Sequence, residues 1–165
     1  MSDRMIAERL QPSLLDRLTD DDPFEVKESR NSRVIDLRQL RDILQRDLAW
    51  LLNTSNNSTF IDQETCPNAY TSVLNYGIMD VAGDFSTGAR AEMIRKSIIG
   101  AVQTFEPRIH PGSLNVKLRA GQDSRDSVVS FDIRADMWAQ PLPIELYLRS
   151  SVDVTTGELE LERIA

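Results

Sequence analysis

The chain has one cysteine, Cys66, and one histidine, His110. A single cysteine excludes an intrachain disulfide and fits a reducing compartment. With no second histidine and no paired cysteine, a metal site of ordinary ligand spacing has no donors to draw on. Lysine and arginine form no run, and the formal charge is −7, which argues against a nucleic-acid binder and towards protein partners. No apolar stretch reaches 18 residues and no signal-like segment opens the sequence, so the expectation is a cytosolic protein without direct membrane insertion. Gly83-Asp84-Phe85-Ser86-Thr87-Gly88 lacks both the spacing and the lysine of a phosphate loop. Among 26 acidic residues some carboxylate pair is always available, so such a pair carries no glycosidase signal. No catalytic, cofactor-binding or metal-binding residue is assigned.

What remains is a soluble composition, 41% hydrophobic and 27% charged, in a chain of 165 residues, long enough for one real core. Residues 1–31 read as an N-terminal arm, partly flexible, in which Leu14–Leu18 forms a short helix. It is either held by another molecule or folded back on its own core. Residues 32–165 read as a single α+β domain. Leu37, Leu40, Leu44, Leu48 and Leu51 recur at helical spacing over 33–52, with Ser32 as the N-cap. Residues 59–85 are rich in turn formers, and Tyr70–Gly77 suggests one helical turn closed by Gly77. Ala91, Ile94, Ile98, Ala101, Val102 and Phe105 mark a second helix, 86–105, started by Ser86 or Thr87. Gly100 inside that helix hints at close packing.

Beyond residue 113 the period falls from 3.6 to 2. Leu114–Leu118, Val129–Met137 and Ile144–Leu148 alternate apolar and polar residues, and Thr155-Thr156-Gly157 turns into Leu159 and Leu161. Helices first and strands last predict N-terminal helices packed on one face of a C-terminal antiparallel sheet. In the last strand Glu158, Glu160 and Glu162 face away from the core. At the end of a meander this strand is an edge, open to a partner's strand or merely kept soluble by its acids.

Between helices and sheet stands Glu106-Pro107-Arg108. Proline stops the helix at or before Glu106 and leaves that carboxylate at the negative end of the helix dipole. Were the step extended, Glu106 and Arg108 would point the same way about 6–7 Å apart, too far for tight bidentate pairing. The two charges then call for a partner from elsewhere, and removing either would leave the isolated domain folded; the alternative is that both close salt bridges within the domain, onto the sheet.

Leu51-Leu52-Asn53-Thr54, Ser72-Val73-Leu74-Asn75-Tyr76-Gly77 and Phe105-Glu106-Pro107-Arg108-Ile109, in this order before a strand meander, resemble the TssE family. That family comprises type VI secretion baseplate subunits related to the phage baseplate-wedge proteins once called lysozyme-like. The likeness spans roughly residues 8–163. The Asn53–Ser58 loop departs from it, having no basic residue after Asn53-Thr54. The resemblance implies a non-enzymatic part of the baseplate wedge, cytoplasmic, at the inner-membrane-docked secretion baseplate. Its implied partners are TssF, TssG and TssK, with the TssB and TssC sheath beginning beside it. Glu106, Pro107 and Arg108 would bind the helical core of the wedge, and the Glu158, Glu160 and Glu162 strand would help start the sheath. The alternative reading is an anti-adaptor of the same fold, which blocks a proteolysis adaptor and needs no Glu-Pro-Arg corner.

Overall fold

The computed structural model describes residues 13–19, 23–24, 35–82, 88–119, 128–138 and 143–164. Helix α1 is Leu14–Leu18 and α2 is Leu37–Leu52; α3 is the single turn Pro67–Tyr70, followed by a 3-10 turn at Val73–Asn75; α4 is Gly88–Phe105. Four strands follow, β1 Asn115–Leu118, β2 Val128–Met137, β3 Ile144–Asp153 and β4 Leu159–Arg163, in the antiparallel order β1-β2-β3-β4.

The leucine stripe of α2 lies in the core: Leu40, Leu44, Leu48, Leu51 and Leu52 are buried. So are Ile94, Ile98 and Val102 of α4. Both helices cover the face of the sheet formed by Val129, Phe131, Ile133, Ala135 and Met137 of β2 and Leu146, Leu148 and Val152 of β3. The expected α+β layering, with helices on one sheet face, is what forms. On the other face cross-strand partners are polar, with Asp132 opposite Arg149 and the Arg134 guanidinium 4.5 Å from the Tyr147 ring.

Local boundaries differ from expectation in informative ways. Helix α2 starts at Leu37, not near residue 33, because Asp36 and Gln39 form a reciprocal capping box there (Gln39 N to Asp36 Oδ1, 2.7 Å; Asp36 N to Gln39 Oε1, 2.9 Å). Ser32, Ser86 and Thr87, expected as caps, lie outside the described residues. Gly100 is exposed, with nothing within 4 Å of where its Cβ would stand, so it marks no close contact.

Gly77 is the position where packing does demand glycine. Its φ is +115°, and a Cβ there would lie 2.1 Å from the Thr54 carbonyl oxygen. It ends no single helical turn; Tyr76 before it is extended, and the expected turn is split between α3 and the 3-10 turn. Ile78 N donates to Thr54 O (2.9 Å) and Asn56 N to Ile78 O (2.8 Å), forming a parallel bridge between the loop after α2 and the loop before α4. Buried Asn75 completes the brace: its Oδ1 accepts from Asn57 N (3.0 Å) and its Nδ2 donates to Tyr70 O (3.0 Å).

The outer edge of β4 is not open along its length, contrary to expectation. Asp153 N donates to Glu158 O and Ile164 N to Tyr147 O, so even-numbered β4 residues bond inward to β3. Leu159, Leu161 and Arg163 direct their backbone groups outward. There the Asn53 side chain takes the place of a neighbouring strand: Leu159 N donates to its Oδ1 (2.9 Å) and its Nδ2 donates to Leu159 O (2.8 Å). Gln45 Nε2 caps Leu161 O at 3.0 Å. Polar side chains of α2 and of its C-cap Asn53 thus occupy half of this edge. Asn53→Ala leaves the backbone of buried Leu159 unpaired and is expected to cost about 1–2 kcal/mol. Thermal melting measures the loss, and hydrogen exchange at the Leu159 amide should accelerate first.

Candidate functional site

The corner after α4 is a turn, not an extended step. Ile109 N donates to Glu106 O at 3.2 Å, closing a β-turn with Pro107 in its second position. The turn folds the Arg108 side chain back onto Glu106. Arg108 Nε donates to Glu106 Oε1 at 2.7 Å and Nη2 to Oε2 at 2.6 Å, while Arg108 N also reaches Oε1 at 3.1 Å. The expectation that these two residues lack a good local partner is therefore corrected. They make a bidentate pair because a turn, unlike a strand, brings residues i and i+2 onto one another. Glu106 keeps only 6% of its surface exposed. Its carboxylate needs that cation twice over, for burial and for its place at a helix C-terminus.

Asp47 of α2 joins the pair from 61 residues away, accepting from Arg108 Nη2 at 2.6 Å. Its other oxygen accepts from Arg46, through Nε at 3.0 Å and Nη2 at 2.7 Å. Arg46 Nη1 in turn pairs with Asp16 of α1. The result is a chain of alternating charge, Glu106–Arg108–Asp47–Arg46–Asp16, running from the corner across α2 to the N-terminal segment. Arg46 also lies 4.8 Å over the Trp50 ring. Sequence reasoning missed Asp47 as a member of the corner. Nothing in its local pattern separates it from other polar residues on α2, and only the fold brings it to Arg108.

The charge states follow from this geometry. Burial works against the Arg108 cation, yet the Glu106 hydrogen bonds and charge, with those of Asp47, outweigh it and push the guanidinium pKa up. The Arg46 hydrogen bond holds the Asp16 carboxyl below the usual carboxylate range against a smaller opposing effect of burial. Pro107 is exposed on the turn, and Arg108 Nη1 takes no part in the bonds just described. The corner is thus a rigid projection with an apolar ring and a partly exposed cation.

Helix α1 meets the rest of the domain at Asp16, and Leu14, Leu15 and Leu18 stay exposed. Glu158, Glu160 and Glu162 are all exposed and stand apart from the corner's charge chain. Cys66 is exposed, and among the described residues no group of three or more His, Cys, Asp or Glu could hold a metal ion. No described helix is long and apolar enough to cross a membrane.

A family model described as baseplate wedge protein gp25 matches residues 38–142, well over half of the chain. The matched stretch contains most of α2, all of α4, the corner, β1 and β2. No curated protein matches the chain.

Proposed function

Because the chain belongs to the baseplate wedge protein gp25 family, a structural part in a baseplate follows, and we propose that it serves as the TssE-type subunit of a type VI secretion wedge. In this reading it performs no catalysis and works in the cytoplasm at the inner-membrane-docked baseplate. It docks on TssF and TssG beside TssK, and the TssB and TssC sheath begins next to it. The family match is the observation that carries the reading. The corner fits the role because its charge chain holds Pro107 and Arg108 in one conformation before any partner arrives, which reduces the ordering cost of docking.

Glu106, Pro107 and Arg108 are the proposed wedge contact. In co-purification with TssF and TssG, Arg108→Ala is expected to weaken association by about 2 kcal/mol or more, roughly thirtyfold. The measurement is made where circular dichroism shows the variant folded. If wild-type chain does not co-purify, the wedge reading fails; if folded Arg108→Ala binds as wild type does, the corner is not the contact. For the β4 strand of Glu158, Glu160 and Glu162, sheath initiation would use the outward amides of Leu161 and Arg163 that Asn53 and Gln45 leave uncapped. Proline at Glu160 would damage the sheet, because that residue bonds inward, whereas Arg163→Pro removes an outward donor and the exposed Arg163–Asp42 ion pair and leaves the β3–β4 bonds in place. Arg163→Pro is expected to lower the frequency of sheaths seen by fluorescence imaging in cells; normal frequency would rule the edge out.

A further inference from the structure

The loops braced by Asn75 expose three large apolar side chains: Phe60 is 87% exposed, Val73 79% and Leu74 63%. Asn57 ties their carriers together. Its carbonyl accepts from Phe60 N (2.9 Å), and its side-chain Nδ2 donates to Leu74 O (2.7 Å). Ser58 and Asn56 add bonds within the loop, Ser58 Oγ to Asn56 Oδ1 at 2.8 Å. Backbone and amide hydrogen bonds thus fix an apolar surface in place, where a floppy loop could fold its own side chains inward. Burying such side chains is favourable, and among the described residues nothing collects that stabilisation.

Along the sequence that carries these side chains, the charge is of one sign. Between Arg46 and Arg90 the sequence contains no lysine, arginine or histidine, but it contains Asp62, Glu64 and Asp80, all exposed. Thr65 Oγ1 and N both donate to Asp62 Oδ2, at 3.0 and 3.1 Å, fixing that carboxylate two residues along the loop from Phe60. An acidic rim repels nucleic-acid phosphates and anionic lipid headgroups alike. It also disfavours a second copy of this chain, since a two-fold contact would set the same acids against each other.

We propose that Phe60, Val73 and Leu74, with Asp62 and Glu64 at their rim, form a docking surface for a partner protein's basic amphipathic segment. Such a segment presents apolar side chains flanked by lysine or arginine. The surface shares no residue with the corner's charge chain and does not depend on the wedge assignment. The basic ends steer the segment in and set its orientation, while Phe60 supplies the central apolar anchor.

The test uses the full chain and three defined 18-residue amphipathic peptides with the same leucine pattern, whose polar faces are lysine, glutamate or serine. Binding is followed residue by residue through amide chemical shifts. The lysine peptide is expected to bind at least tenfold tighter than either of the others, with shifts centred on 57–62 and 72–76. Phe60→Ser with Leu74→Ser should weaken it at least tenfold, and these exposed positions leave the fold intact. Glu64→Lys should weaken it as well, whereas Glu145→Lys, the same charge change on the outer sheet face, should leave affinity within twofold. The proposal is overturned if the lysine peptide has no preference, if the serine pair leaves its affinity unchanged, or if Glu145→Lys weakens it as much as Glu64→Lys. Preferential binding to vesicles of anionic phospholipid, or dimerisation through these residues, overturns it too.

Discussion

Gly77→Ala is expected to destabilise the domain by about 3–5 kcal/mol, a fall in melting temperature of roughly 10–15 °C for a chain of this size. Two costs act together. Any L-residue at φ +115° is strained, at about 1–3 kcal/mol. The new methyl would also stand 2.1 Å from Thr54 O, a backbone atom that no rotamer change can move aside. Relief requires the two loops to part, which breaks the Ile78–Thr54 and Asn56–Ile78 bonds and pulls Asn75 from its partners. Gly100→Ala is the matched control. That site is an exposed helix interior with open space around it, so alanine should stabilise by about 1 kcal/mol. Differential scanning calorimetry on both variants would show opposite signs. A drop at Gly77 of under about 1 kcal/mol would mean that the loops are not held as described.

Arg108→Ala should cost about 3–4 kcal/mol in the isolated domain, more than Glu106→Ala at about 1–2 kcal/mol. The order follows from what each change leaves behind. Without Arg108, the buried Glu106 carboxylate sits at a helix C-terminus with no cation, and Asp47 retains only Arg46. Without Glu106, Arg108 still has Asp47 and keeps contact with solvent. This departs from the expectation that either substitution would leave folding untouched, and the reason is the bidentate pair. Urea unfolding of both single variants and the double variant would give the coupling directly. If the two single losses simply add in the double variant, Glu106 and Arg108 act independently and the pair is not what holds the corner.

Most of the architecture was legible because hydrophobic period is a local signal. Leu40, Leu44, Leu48 and Leu51 announced α2, and the alternation from Val129 to Met137 announced β2. The hairpin at Thr155-Thr156-Gly157 was equally plain: Gly157 has φ +81°, and its N donates to Asp153 O at 2.7 Å. The start of α2 was legible too, since Asp36 and Gln39 have capping-box spacing, but Ser32 drew attention away from it. The corner was found, but its geometry was not. Proline fixes its own φ and leaves ψ free, so Glu106-Pro107-Arg108 is compatible with an extended step or a turn, and the choice reverses whether the side chains meet. Asp47, Asn53 and Gln45 were out of reach for another reason. Their partners lie 61, 106 and 116 residues away, and no local pattern encodes a polar contact at that distance.

That last separation bears on the order in which the molecule can complete itself. During synthesis α2 emerges before the sheet, and Asn53 and Gln45 wait for backbone groups of Leu159 and Leu161. The β2–β3 pairing and the β3–β4 hairpin close over short chain distances, whereas docking of β4 on α2 closes a loop of more than a hundred residues. Until then the nascent chain presents β3 as its sheet edge, with Leu146, Leu148 and Val152 short of a neighbour. A ribosome-bound intermediate therefore offers a longer and more apolar edge than the finished protein does. The five-residue β4 removes that hazard once it pairs with β3.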